Sequence, residues 1–166
     1  MRNQISFGIR LIVALVAVVL VLTPAHAQEL TGPALVAALK KGGYVIVLRH
    51  ASSPREVPDE RTANPDNTAR ERQLDVAGRA AATAIGKALR DLAIPVGNVL
   101  SSPTYRALET VRFAQWQNLQ TVAELGDRGQ SMQGVTEADG EWLRNRVTQF
   151  PSGTNTILVT HLPNIT

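Results

Sequence analysis

The sequence predicts an α/β protein, a three-layer α/β/α arrangement in which a mostly parallel central sheet is covered on both faces. Two observations carry that expectation. Short apolar runs at residues 44–48 (YVIVL), 98–100 (NVL) and 155–160 (NTILVT) have the character of buried strands, and stretches with helical spacing lie between them. Strands that alternate with helices pair in parallel, since each crossover carries the chain back to the same edge of the sheet. At 166 residues, 44% hydrophobic and 19% charged, the chain has material for one domain with a real core.

The elements follow in chain order. Residues 1–27 read as a signal peptide: Arg2 and Arg10 flank a polar start, residues 11–22 (LIVALVAVVLVL) are an unbroken apolar run, and Pro24, Ala25 and Ala27 form an A-x-A cleavage site. The run falls short of the ~20 residues that span a bilayer, with an uncleaved anchor as the alternative. Cleavage after Ala27 leaves residues 28–166 as the mature domain in a periplasmic or secreted setting, with no membrane contact once the signal is gone. His26 leaves with it, so the mature chain keeps two histidines, His50 and His161.

Residues 31–43 (TGPALVAALKKGG) predict a helix with Thr31 as N-cap, Leu35, Val36 and Leu39 as its apolar positions and Gly42 as terminator. The strand 44–48 follows. Residues 52–72, rich in Pro, Asn, Asp and Arg without apolar period, predict a long surface loop. In residues 74–92 the positions Val76, Ala80, Ala84, Ala88 and Leu92 fall four apart, so a helix capped by Asp75 is expected to turn that stripe inward. After the strand 98–100, Ser102 reads as an N-cap and Pro103 as the first helical residue of a helix reaching Trp116. Residues 140–150 offer Leu143, Val147 and Phe150 as the next helical stripe, and the strand 155–160 runs into His161.

Charge and composition exclude several functions. The formal charge of +3 and the isoelectric point near 9.8 suggest an anionic partner. Without Arg2 and Arg10 the balance is 15 basic against 14 acidic residues, and no basic stripe interleaved with aromatics remains, so no nucleic-acid partner is expected. The absence of cysteine excludes thiol catalysis and cysteine-ligated metals.

In a parallel sheet ligands gather beyond the carboxyl ends of the strands. Three strands end at Arg49 and His50, at Ser101 and Ser102 with Arg106 close behind, and at His161. Singly, each has an ordinary explanation: a strand-end cap, a helix start, a solvated arginine, a satisfied buried histidine. As an ordered set they suit a phosphate, because guanidinium forks match phosphoryl oxygens and a helix start favours an anion. Histidine, moreover, can attack phosphorus near neutral pH and carry the phosphoryl group covalently.

The segments VLRHASSP, LDVAGRAAATAIGKAL, VLSSPTYRALETV and TILVTHLPNIT resemble, in order and spacing, the histidine phosphatase superfamily with its phosphoglycerate mutase-like fold. The likeness covers nearly all of residues 44–166 and is most specific at residues 101–110. It implies an exported phosphomonoesterase acting on a small phosphorylated molecule, such as an envelope sugar, through a phosphohistidine, with no cofactor and no metal. His50 maps to the nucleophile, and Arg49, Arg106 and His161 to the groups that hold the transferring phosphoryl. The family's general acid falls in a region where Glu124, Asp127, Glu137 and Asp139 compete, the first three being the candidates. Arg55 and Arg72 are further phosphate-binding candidates from the long loop. Position 51 is Ala where the family usually has glycine. The alternative is a non-catalytic phosphate-binding or interaction module that retains the pocket. Only LPNIT follows His161, whereas the family's domain continues with a helix and at least one strand, so the resemblance implies a C-terminally truncated form of reduced stability.

Overall fold

A computed structural model describes residues 29–54, 72–127 and 135–166. Residues 1–27, expected to be a signal segment, and Arg55 lie outside them. Four strands, β1 (Val45–Arg49), β2 (Val96–Ser101), β3 (Leu119–Thr121) and β4 (Asn155–Thr160), form one sheet in the order β1-β4-β2-β3, with every pairing parallel. Among the described residues, four α-helices accompany it: α1 (Gly32–Lys41), α2 (Val76–Asp91), α3 (Tyr105–Ala114) and α4 (Glu137–Val147). The α/β class and the parallel sheet match the expectation. β3, three exposed residues, has no apolar run to announce it.

The central strand β4 is buried along its whole length, and its alternating side chains divide the core in two. Ile157 and Val159 face α3, packing with Val99, Ala107, Val111, Ala114 and Trp116. Leu158 faces the other way, with Leu100, Leu125 and Leu143 of α4. A strand covered on both faces needs an unbroken apolar centre, which Ile157, Leu158 and Val159 supply within the segment 155–160 read from the sequence.

The helices depart from expectation in instructive ways. Thr31 and Gly42 bound α1 as predicted, the latter at φ 74°, but no residue of α1 is fully buried. The helix is fastened instead by Asn155, whose Nδ2 donates to the Leu39 carbonyl at 2.8 Å. In α2 the Asp75 cap accepts the Gly78 N–H as expected, yet the buried residues are Gly78, Ala82 and Gly86 while Val76 is 82% exposed. The stripe predicted to face inward therefore faces solvent. Backbone proximity explains the correction: a Cβ on Gly86 would lie 2.0 Å from the Ala114 carbonyl oxygen, and one on Gly78 equally close to that of Ser52. The helix turns its smallest residues, not its most apolar ones, toward α3 and the β1 loop.

Two further corrections concern helix limits. α3 begins at Tyr105 with Thr104 as its N-cap, because Ser102 still belongs to the turn and its Oγ accepts the Thr104 N–H at 3.2 Å. α4 starts earlier than expected, at a capping box in which Thr136 and Asp139 satisfy each other's backbone N–H. It also ends at Val147, so Phe150 lies beyond it and is 73% exposed. Trp142 packs beside Leu143 in its place.

The Gly86 contact yields a test. Alanine for glycine in a helix normally stabilises by about 0.5–1 kcal/mol. Gly86→Ala should instead destabilise by about 1–3 kcal/mol in a urea melt, since the clash is with backbone that cannot rotate away. Val76→Ala on the exposed face should change stability by less than about 0.5 kcal/mol.

Candidate active site

The sheet register places the predicted residues on one edge. Arg49 is opposite Thr160, and Ser101 is opposite Val159 on one side and Thr121 on the other, so the residues after each strand leave the sheet side by side. The His50 N–H closes the β1 ladder on the Thr160 carbonyl at 2.9 Å, and the Ser102 N–H does the same on Val159. From the helix side, Arg106 in the first turn of α3 reaches back across this edge.

Arg106 is the hub. Its Nε donates to His50 Nε2 at 3.3 Å, and its Nη2 donates to His161 Nδ1 at 3.1 Å and forms an ion pair with Asp127. The two imidazole centres are 5.1 Å apart. Arg106, His50, His161 and Asp127 are all buried. A buried guanidinium is tolerable only when its hydrogen bonds are met and its charge is balanced. Asp127 supplies the charge and the imidazole nitrogens supply acceptors.

The partners of His50 determine its tautomer. His50 Nδ1 lies 2.7 Å from the Ala51 carbonyl oxygen, which can only accept, so the ring hydrogen is on Nδ1 and Nε2 carries the lone pair. His161 Nδ1 meets Arg106 Nη2 at 3.1 Å and Asp127 Oδ2 at 3.3 Å, and its Nε2 meets Ser102 Oγ at 2.9 Å and Thr104 Oγ1 at 3.2 Å. Ser102 and Thr104 thus hold the second imidazole through their hydroxyls, which are themselves bonded at 3.1 Å. The sequence reads Ser102 as a helix start and gives Thr104 no role of its own. A fully buried strand delivering a histidine beside two hydroxyl side chains is the signal that would have found them.

Burial, followed by the surrounding arginine charges, lowers the His50 pKa to about 4, with the Ala51 hydrogen bond opposing. His161 falls to about 3, first through burial, then through Arg106, with Asp127 opposing. Both imidazoles are neutral at pH 7. Arg72 is half-buried and close enough for its charge to lower both histidines, while Arg49 is exposed at the end of β1 and bears on His50. Burial and the neighbouring Arg106 in turn lower the Arg72 pKa. Three guanidiniums against the Asp127 carboxylate leave a formal charge of +2, suited to a dianionic phosphoryl group.

Of the three candidate acids, Asp127 is the one the fold brings to this edge. Glu124 sits half-buried in the short 3₁₀ turn Ala123–Leu125, and Glu137 is exposed on α4, paired with Arg144. Asp139 is engaged in the α4 capping box. Among the described residues, no three His, Asp or Glu side chains converge as a metal site would require.

No protein-family model matches the chain, and no curated protein does. Solved structures do. The protein histidine phosphatase SixA in complex with tungstate superimposes with a TM-score of 0.51 at 17% identity, covering 73% of this chain and 70% of that one. A protein from Agrobacterium tumefaciens with the provisional name phosphohistidine phosphatase SixA gives 0.53 at 23%, covering 74% and 71%. One from Nakamurella multipartitia with the same provisional name gives 0.52 at 23%, covering 74% and 61%. The chain therefore has the phosphoglycerate mutase-like fold of these structures.

The lowered histidines predict how stability responds to acid. Between pH 6.5 and about 4 the unfolded chain takes up protons on these imidazoles that the folded protein does not, so folding stability should fall as the pH drops through that window. Urea melts at pH 7, 6 and 5 should give decreasing midpoints. In parallel, the His50 and His161 ring resonances should show no titration step near 6.5, and a step there for either residue would contradict the geometry.

Proposed function

We propose that the chain is a histidine phosphatase, an exported phosphomonoesterase that needs no metal and works through a phosphohistidine on His50. The observation that carries this reading is the His50 ring. Its hydrogen is held on Nδ1 by the Ala51 carbonyl, its Nε2 lone pair accepts from Arg106 at the cationic edge, and its low pKa keeps it neutral. The similarity in fold to proteins named as histidine phosphatases, one of them in complex with tungstate, supports the same reading.

In the proposed reaction the phosphoryl group of the substrate lies against Arg106, Arg49 and Arg72. His50 Nε2 attacks phosphorus in line, forming the N–P bond as the bond to the leaving oxygen breaks. The Arg106 Nε–H that points at Nε2 turns to an equatorial phosphoryl oxygen, so the charge that develops is met by a donor already in place. The leaving alkoxide takes its proton from water, because Asp127, the candidate acid that reaches the site, is ionised against Arg106. Water then attacks the phosphohistidine, releasing inorganic phosphate and restoring the His50 lone pair. His161 supports this by orienting Arg106 from the opposite side. The substrate class is a small phosphorylated molecule. The names of the neighbours add protein-borne phosphohistidine as a substrate to test alongside it.

Export is proposed from the signal-like composition of residues 1–27. No helix among the described residues is long and apolar enough to cross a membrane.

With p-nitrophenyl phosphate, turnover should be insensitive to chelator and abolished by His50→Ala, and denaturation during turnover should trap an acid-labile phosphoryl group on the wild type. Arg106→Ala should lower kcat/KM by about 10²–10³-fold, as for removal of a donor to a developing charge, whereas Arg144→Ala on the surface of α4 should change it little. Retained activity in His50→Ala would sink the mechanism. For export, N-terminal sequencing of periplasmic protein from a bacterial host should begin at Gln28, and an intact Met1 in the membrane fraction would overturn that reading.

A further inference from the structure

The adjacent residues Glu109 and Thr110 stand out. They belong to the most specific stretch of the sequence, yet the phosphatase chemistry uses neither. Both are buried on the face of α3 that carries Arg106. Thr110 lies one turn beyond Arg106, and its hydroxyl donates to the Arg106 carbonyl at 2.8 Å. That orients the oxygen lone pairs away from the helix, and one of them accepts the Ala51 N–H at 3.0 Å.

Ala51 is where β1 leaves the sheet. The ladder ends at the His50 N–H, so the next backbone donor needs another partner. Thr110 supplies it. The carbonyl of the same residue receives His50 Nδ1–H, which makes Ala51 the point through which any displacement of the loop reaches the ring. Glu109 holds the far side. Its Oε2 accepts the Leu74 N–H at 2.8 Å, next to Asp75, whose N–H donates to the Ser52 carbonyl and whose Oδ2 accepts from Ser52 Oγ at 2.7 Å. The segment 50–52 is thus held at Ala51 by Thr110 directly and at Ser52 by Asp75, whose neighbour Leu74 is fixed by Glu109.

We propose that Thr110 is a positioning residue for the nucleophile: its hydroxyl, set by the Arg106 carbonyl, fixes Ala51 and through it the orientation and tautomer of the His50 ring. Glu109 is its structural companion. The proposal rests on the reading of His50 as the nucleophile. Without the pin, Ala51 is free to rotate its carbonyl away from Nδ1, the hydrogen can move to Nε2, and in that tautomer the ring has no lone pair to direct at phosphorus.

The test is Thr110→Val, which keeps the shape and removes both hydrogen bonds, in p-nitrophenyl phosphate turnover and nitrogen NMR of His50. A misplacement of about an ångström costs on the order of 10²-fold in rate. We therefore expect kcat to fall by at least about tenfold with KM within about threefold, and the Nδ1–H pattern of His50 to become a mixture of tautomers. Thr110→Ser, which keeps the hydroxyl, should retain both wild-type readouts. Thr83→Val removes the same kind of bond, from Thr83 Oγ1 to the Arg79 carbonyl on the exposed face of α2, and should leave kcat unchanged. A wild-type rate and a single tautomer in Thr110→Val would overturn the proposal, as would an equal loss in Thr110→Ser. Should the valine variant not fold, Thr110→Ala is judged by the same criteria. A wild type without phosphatase activity whose tautomer nevertheless responds to Thr110→Val would refute the phosphatase reading and leave the clamp standing.

Discussion

A charged guanidinium sealed at the edge of the sheet is the constraint around which the rest of the structure is arranged. Arg106 is 2% exposed, and removing one partner of such a buried charge costs about 3–5 kcal/mol. Asp127 must therefore be delivered to it, and the segment that carries Asp127 is fastened to the sheet by its own bonds. Thr160 Oγ1 donates to the Leu125 carbonyl at 2.8 Å, and Asn164 Nδ2 reaches the carbonyls of Leu125 and Gly126. His50 then adopts the tautomer that lets it accept from Arg106. One charge thereby orders three side chains, His50, His161 and Asp127, from three separate segments.

α3 carries most of this organisation. Its buried face presents Arg106 to the histidines, Thr110 to the loop after β1 and Glu109 to the start of α2, while Ala107, Val111 and Ala114 pack on the sheet. Such crowding on ten residues leaves no room for large side chains from the helix alongside. α2 accordingly meets α3 through Gly86, and Arg90 donates to the Ala114 carbonyl at 2.8 Å where the two helices touch. The close approach of α2 is also what places Asp75 against Ser52. Stability and site geometry are linked through the same glycines.

The two histidines and the arginines around them divide the electrostatic work. The arginines raise the local positive potential, and burial with that potential keeps the histidines neutral, so cation and lone pair coexist within a few ångströms. A site of this kind needs a rigid frame, because a neutral imidazole next to guanidiniums is productive only in one orientation. Hydroxyl groups provide the frame at both rings: Thr110 through Ala51 for His50, and Ser102 with Thr104 for His161.

The fold class, the parallel order of the strands and the meeting of His50, Arg106 and His161 were legible in the sequence, because each depends on local signals: apolar runs of strand length, and the residue that follows each run. β4 is the clearest instance, its six buried residues being read off directly. What the sequence could not reveal depends on distances between segments far apart along the chain. Which face of α2 is buried was decided by the approach of the Ala114 and Ser52 carbonyls, which overrides the apolar stripe through Val76. Among the candidate acids, Asp127 differs from Glu124 and Glu137 in no local property, and only the need of buried Arg106 for a counter-charge distinguishes it. Tautomers and pKa values likewise exist only once a carbonyl, a hydroxyl or a guanidinium has been brought within hydrogen-bonding distance. Residue type and spacing determined which groups reach the edge of the sheet, and packing of charges and backbone in a low-dielectric interior decided what each of them does there.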